Sequence, residues 1–145
     1  MPLYIQSISI AASIPQVDRC ITDPELMKRW LNPLLQCEAV GSPAAKLGSR
    51  YCFRLRILWV APQLDCIITE RDLGLVQWQF EGFFTGTDRW ECRAEPGGTL
   101  LLNRFEFCIP NPWVAAGFNL VAAGLTQQDM RAQLRRLKAV AESLG

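Results

Sequence analysis

Asn111–Gly145, NPWVAAGFNLVAAGLTQQDMRAQLRRLKAVAESLG, is the stretch whose reading decides how the chain is organised. Asn111 is a good N-cap, and Pro112 suits the first helical position, where no amide hydrogen is needed. Beyond them Leu120, Ala123, Gln127, Met130, Leu134, Leu137, Ala141 and Leu144 recur at spacings of three and four, which lines them up on one side of a helix. Arg131, Arg135, Arg136, Lys138 and Glu142 fall on the opposite side and suit water, the basic residues also suiting a helix C-terminus. The stripe is bulky from Met130 onward and small before it, at Ala115, Ala116, Gly117, Ala122, Ala123 and Gly124. A long helix filled at one end and hollow at the other predicts a lid over a cavity.

What that helix covers is written in the residues before it. Between 49 and 60 the period is two: Tyr51, Phe53, Leu55, Ile57 and Trp59 lie on one face, Arg50, Cys52, Arg54 and Arg56 on the other. Residues 75–81 repeat the pattern with Val76, Trp78 and Phe80 against Gln77, Gln79 and Glu81. Residues 87–94 place Asp88, Trp90 and Cys92 opposite Arg89, Glu91 and Arg93. Residues 99–108 place Leu101, Asn103, Phe105 and Phe107 opposite Leu100, Leu102, Arg104 and Glu106. Residues 36–40 and 64–71 read as further strands, the latter with either Ile67 or Ile68 facing in. Turns are expected at Gly41-Ser42-Pro43, Asp72-Leu73-Gly74 and Pro96-Gly97-Gly98, and a bend where Gly82 and Gly86 bracket Phe83-Phe84. Connections this short exclude parallel crossovers, so the sheet is an antiparallel meander.

Residues 3–12 (Leu3, Ile5, Ile8, Ile10) read as a first strand. Ser13-Ile14-Pro15-Gln16 and Thr22-Asp23-Pro24-Glu25 are capping-box patterns, each opening a short helix; the second carries Leu26, Met27, Trp30 and Leu31 and ends at Asn32-Pro33. The order β-α-α-β(meander)-α gives an α+β fold in which the greasy sheet face wraps the C-terminal helix.

The run Ile21-Thr22-Asp23-Pro24-Glu25-Leu26-Met27-Lys28-Arg29-Trp30-Leu31-Asn32-Pro33 is similar to the T-D-P-E-x-L-x-x-W-x-x-P run of polyketide-cyclase-like proteins and Hsp90-activator homologues. Gly86-Thr87-Asp88-Arg89-Trp90 resembles a strand start of the cyclase-like members, with Asp88 where histidine is frequent, and Leu134-Arg135-Arg136-Leu137-Lys138-Ala139 resembles their helix ending. Over essentially its whole length the chain resembles the START/Bet v 1-like (SRPBCC) superfamily. The resemblance implies a helix-grip fold with an apolar cavity between sheet and helix. It fixes function weakly, because that superfamily includes lipid carriers, hormone binders, cyclases and chaperone regulators.

At 145 residues the chain is expected to form a single domain, 1–145. A net charge of +1 with interspersed signs argues against nucleic acid as partner. No apolar run reaches the roughly 18–20 residues of a membrane span, and residues 1–13 lack the basic start of a signal peptide. A soluble, cytoplasmic protein is expected. The six cysteines show no C-x-x-C and read as buried or half-buried thiols. The absence of histidine excludes the usual zinc sets and any Ser-His or Cys-His dyad, so no metal or other cofactor is expected.

The predicted cavity lining is Tyr51, Phe53, Leu55, Ile57, Trp59, Trp78, Phe80, Trp90, Phe105 and Phe107 from the sheet, with Leu120, Ala123 and Gln127 from the helix. The same stripe is equally the pattern of a packed core, and the small residues at 115–124 favour the cavity. Tyr51, Asp88, Asn103 and Gln127 bring polar groups to the apolar side, where such groups orient ligands. Asp88 could also serve as an acid or base if burial raised its pKa, or simply bond local backbone near its glycine. The outer charges Arg54, Arg56, Glu81, Arg89, Glu91, Arg93, Arg104 and Glu106 predict cross-strand pairing on a solvated face. Phe83, Phe84 and Trp113 sit in predicted loops, either at a cavity mouth or packed under the helix start. Three functions compete. The first is binding or transport of a hydrophobic small molecule (lipid, isoprenoid or polyketide-like), the second a cyclase- or dehydratase-like enzyme in the same cavity. The third is an interaction module in the manner of the Hsp90-activator homologues.

Overall fold

The computed structural model describes residues 3–33, 35–41, 45–55, 63–82, 85–108 and 127–144. In chain order these form β1 (Leu3–Ile10), α1 (Ile14–Thr22), α2 (Pro24–Trp30), β2 (Leu35–Val40), β3 (Arg50–Leu55), β4 (Gln63–Asp72), β5 (Leu75–Gly82), β6 (Thr85–Glu95), β7 (Gly98–Cys108) and α3 (Gln127–Ser143). All seven strands pair antiparallel in one sheet of order β1-β7-β6-β5-β4-β3-β2. The meander therefore runs from β2 to β7, and β1 closes onto its far edge. The result is the expected α+β arrangement. The first part of the expected long helix, from Asn111, lies outside the described residues. None of the described helices is long and apolar enough to cross a membrane.

Period-two alternation sets the sheet as read from the sequence over β5 and β7: Val76, Trp78, Phe80, Leu101, Asn103 and Phe107 are buried. On β4 it is Ile68, not Ile67, that is buried, in phase with Leu64 and Cys66. A register shift between Ile68 and Glu70 then breaks the alternation. On β1 the expectation is corrected. Leu3 and Ile5 are exposed, while Tyr4, Gln6, Ile8 and Ile10 share the inner side. Residues 5 and 8 cannot share one face of a strand, so one of the two had to point out.

The helices form where their caps dictate. Ser13 and Gln16 make the reciprocal capping box of α1. At α2 the N-cap is Asp23, not Thr22: its carboxylate accepts from the Glu25 amide at 2.9 Å, and Pro24 takes the first helical position. Thr22 instead donates back to the Asp18 carbonyl at 2.9 Å. The indole of Trp30 donates to the Cys20 carbonyl at 2.8 Å and locks the corner between the two helices.

α3 buries Leu134, Leu137, Val140 and Ala141 against α1, α2 and β1. Its polar side is less solvated than expected. Arg136 donates to the Trp30 carbonyl at 3.0 Å and Lys138 to the Ser9 carbonyl at 2.7 Å, while Glu142 accepts from the Ala11 amide at 3.2 Å. Gln133 accepts from the Asn32 amide at 2.7 Å.

A bidentate ion pair absent from the sequence reading ties α1 to the sheet. Arg71 meets Asp18 at 2.6 and 2.8 Å, with both side chains largely buried. Arg71 also donates to the carbonyls of Ala45 at 3.0 Å and Leu75 at 3.1 Å. Asp18 accepts from the Gly74 amide at 2.9 Å. Gly74 holds φ 78°, and a Cβ there would sit 2.9 Å from Ile14 Cγ2, so the turn needs glycine on both counts.

Candidate functional site

Strand register brings the predicted residues into rows across the inner face. Trp78, Asp88 and Phe105 stand side by side on β5, β6 and β7. The next row toward α1 holds Val76, Trp90, Asn103 and Gln6; the next row away holds Tyr51, Cys66, Phe80, Gly86 and Phe107. Gly86 admits no side chain, since a Cβ would overlap the Glu106 carbonyl oxygen and lie 2.8 Å from the Phe107 Cα. That keeps β6 and β7 close where the flanking rings are largest.

The rings form a connected series. Tyr51 meets Trp78 edge-on with centroids 4.8 Å apart, and Phe53 touches both Trp78 (5.9 Å) and Phe80 (6.0 Å). Phe80 contacts Phe105 at 6.0 Å, Phe105 contacts Phe107 at 5.2 Å, and Phe107 stacks on Tyr4 at 6.1 Å. Edge-to-face contacts of this kind add to what burial of the rings alone provides. Trp90 departs from the series and pairs with Trp30 of α2 at 5.6 Å.

Two of the predicted polar positions, Asp88 and Asn103, converge. Asp88 is half-buried, and its carboxylate accepts from the Trp90 indole at 2.9 Å and from the Asn103 amide at 2.6 Å. Asn103 also donates to the Arg89 carbonyl at 3.2 Å. Both donors favour the ionised carboxylate, but loss of solvent outweighs them and pushes the Asp88 carboxyl up to about 6. Tyr51 stands apart from this group. It is fully buried, its hydroxyl has no hydrogen-bond partner among the described residues, and burial raises the phenol above its usual range, with Cys37 adding to the shift.

Among the other predicted lining residues, Ile57, Trp59, Leu120 and Ala123 lie outside the described residues, as do the side chains of Leu55 and Gln127. So do Phe83, Phe84 and Trp113. The sequence reading missed Gln6, a buried polar residue directly across from Asn103. Its signal was available in the alternation with Tyr4, Ile8 and Ile10, once β1 is put in the correct phase.

The six thiols are unbridged. Burial pushes Cys20 up to about 11 and Cys37 and Cys92 up to about 12, and raises Cys66 further, with the Asp88 charge contributing to Cys66. Thiols held protonated in this way are poor nucleophiles. Among the described residues no three His, Cys, Asp or Glu side chains converge on a metal site. The outer charges pair only partly across strands: Arg89 bridges to Glu70 and Gln77, whereas Arg93–Glu91 (3.6 Å) and Arg104–Glu106 (3.9 Å) run along single strands.

Solved structures of low sequence identity share this fold. A protein from Thermus thermophilus superposes with a TM-score of 0.77 at 16% identity, over 99% of this chain and 99% of that one. A Chromobacterium violaceum protein gives 0.72 at 13% identity, over 97% and 96%. The Aha1 dimer from Colwellia psychrerythraea gives 0.66 at 17% identity, over 98% and 97%. No curated protein matches the sequence. The family model described as polyketide cyclase / dehydrase and lipid transport matches residues 3–142, and the chain belongs to that family.

Proposed function

We propose that this member of the polyketide cyclase/dehydrase and lipid transport family binds a hydrophobic small molecule, of lipid, isoprenoid or polyketide type, against the inner face of its sheet. One observation carries the reading: a continuous series of aromatic rings runs up to a single carboxyl, Asp88, held by two side-chain donors. Rings of this area take up hydrocarbon, and one fixed polar group sets the ligand's direction. At neutral pH Asp88 is mostly ionised, so it accepts a hydrogen bond from a hydroxyl of the ligand. In this reading residues 1–145 act as one domain, and Leu55, Ile57, Trp59, Leu120, Ala123 and Gln127 complete the lining. Native mass spectrometry of the freshly purified protein, with organic extraction, is the test. An apolar adduct of defined mass is expected. A protein that carries nothing and takes up neither fatty-acid nor isoprenoid probes overturns the reading.

The position of the Asp88 carboxyl near 6 favours a second reading, a cyclase- or dehydratase-like reaction. A group that exchanges its proton close to neutrality can remove a proton from carbon beside a ketone and return it to a departing β-hydroxyl, which leaves as water. Asp88→Asn then abolishes turnover while the protein stays folded. Turnover retained in that variant refutes the catalytic role.

A further inference from the structure

β1 ends the sheet, with β7 on one side, and α3 packs along it. Two side chains of α3 reach the backbone of this edge: Lys138 donates to the Ser9 carbonyl at 2.7 Å and Glu142 accepts from the Ala11 amide at 3.2 Å. Those bonds fix which backbone groups point away from β7. Along an antiparallel strand the N–H and C=O of one residue point to one side, and those of the next residue to the other. Ser9 and Ala11 turn theirs outward, so Leu3, Ile5 and Ser7 do the same, while Tyr4, Gln6 and Ile8 turn theirs to β7. Among the described residues the outward groups of Leu3, Ile5 and Ser7 meet no partner.

The same stripe of α3 continues beside them with its charge unspent. A helical turn rises about 5.4 Å and two strand residues about 6.7 Å, so helix and strand keep step. From Glu142 at Ala11 and Lys138 at Ser9, Arg135 comes level with Ser7 and Arg131 with Ile5. Both arginines are exposed, and neither ion-pairs or hydrogen-bonds with a described residue. On the outer face Leu3 and Ile5 are 42% and 60% exposed. Edge strands are normally blunted by charge or proline of their own. Leu3–Ile10 has neither, and α3 closes only its second half.

We propose that the Leu3–Ser7 edge of β1 takes up, as an added antiparallel strand, an extended segment of a partner protein in which apolar and acidic side chains alternate. Residues of that segment opposite Ile5 and Ser7 exchange both backbone hydrogen bonds with them. Their side chains share the outer face with Leu3 and Ile5, which suits apolar residues. The residues between them turn to the other side, toward Arg131 and Arg135, which suits carboxylates. The arginines stand one helical turn apart, so the acids come at every second position. A second copy of the chain fits worse: Leu3–Ile10 carries no charge, and β1 laid on β1 leaves the arginines of both copies unmatched. The inference uses neither Asp88 nor the ring series and is independent of the proposed function.

NMR titration of the whole protein with the end-blocked peptide Thr-Val-Glu-Val-Glu-Val-Thr at neutral pH tests it. The peptide is expected to shift the amides of Leu3, Ile5 and Ser7 and to slow their hydrogen exchange. The same peptide with lysine in place of glutamate should bind at least about tenfold more weakly. N-methylation of the valines should abolish binding, because those amides are the ones that face β1. The double variant Arg131→Gln, Arg135→Gln, altered only at exposed side chains, weakens the glutamate peptide about threefold to tenfold and narrows its lead over the lysine peptide. Asp88→Asn leaves the peptide response intact, so failure here and failure of the inner-face reading are separable. Equal binding of the glutamate and lysine peptides, shifts confined to other residues, binding of the N-methylated peptide, or an unchanged affinity in the double variant each overturn the proposal. Self-association of the protein through the same amides overturns it too, in favour of a second copy.

Discussion

At one end of the inner sheet face Trp30 lies edge-on to Trp90, Thr99 donates to the Ala12 carbonyl at 2.8 Å, and Ile10, Val76 and Leu101 are sealed next to α1 and α3. At the other end Phe53, Phe80, Phe105 and Phe107 meet in series, edge-on or tilted. The first end spends its polar atoms on holding helices to strands. The second carries almost none, and the boundary between them is Asp88. The difference teaches where change should cost stability and where it should cost binding.

The largest loss is expected at the closed end from Arg71→Ala, which strands the Asp18 carboxylate against the Gly74 turn. Removing one partner of a buried pair costs about 3–5 kcal/mol, read as a fall in the urea midpoint with an unchanged m-value. Trp30→Ala follows closely, at about 3–5 kcal/mol, since it removes the contact with Trp90 and the bond to Cys20 together. Phe105→Ala, at the half-buried aromatic end, should cost only about 1–2 kcal/mol while weakening uptake of an apolar probe more than Trp30→Ala does. If the two variants lose stability equally and neither alters uptake, the contrast between the ends is broken.

A smaller effect sharpens the boundary itself. The Asp88 carboxyl is raised in the folded state to about 6 from an ordinary value near 4, so between those two pH values the folded protein binds more protons than the unfolded chain. Its contribution therefore favours the folded state below pH about 4 and is lost as pH rises through about 6. Asp88→Asn removes that titration, so its melting temperature should gain on the wild type as pH rises from 4 to 7. A constant difference between the two across that range would mean that the Asp88 carboxyl is solvated.

The sheet was largely legible where a central strand repeats a large apolar residue at every second position, as in Val76-Gln77-Trp78-Gln79-Phe80 of β5. The edge strand was not. β1 tolerates Leu3 and Ile5 on its outer side, so its apolar residues do not share one phase. The neighbouring pair Thr22 and Asp23 offered two N-caps, and Pro24 decides for the second. In the candidate site, parity alone carried Asp88 and Asn103 to the same side as Trp90, which is why their meeting could be anticipated. The Asp18–Arg71 pair could not be. It joins residues 53 apart in sequence through a strand whose phase slips between Ile68 and Glu70, and alternation records no such slip. The polar side of α3 misled for a related reason: Arg136, Lys138 and Glu142 suit water, yet each reaches a backbone group that only the tertiary packing brings near.

The pairing of β1 with β7, Leu3 against Glu106 through Ile10 against Thr99, has a consequence for the birth of the protein. On the ribosome β1 emerges about a hundred residues ahead of β7, its sheet neighbour among the described residues, and loop closure over such a span is slow. The β2–β7 meander can assemble by local hairpins while β1 waits, with Leu3 and Ile5 among its first residues. Its docking, fastened by Lys138 on Ser9, pairs the edge of β7 that would otherwise stay open to other chains.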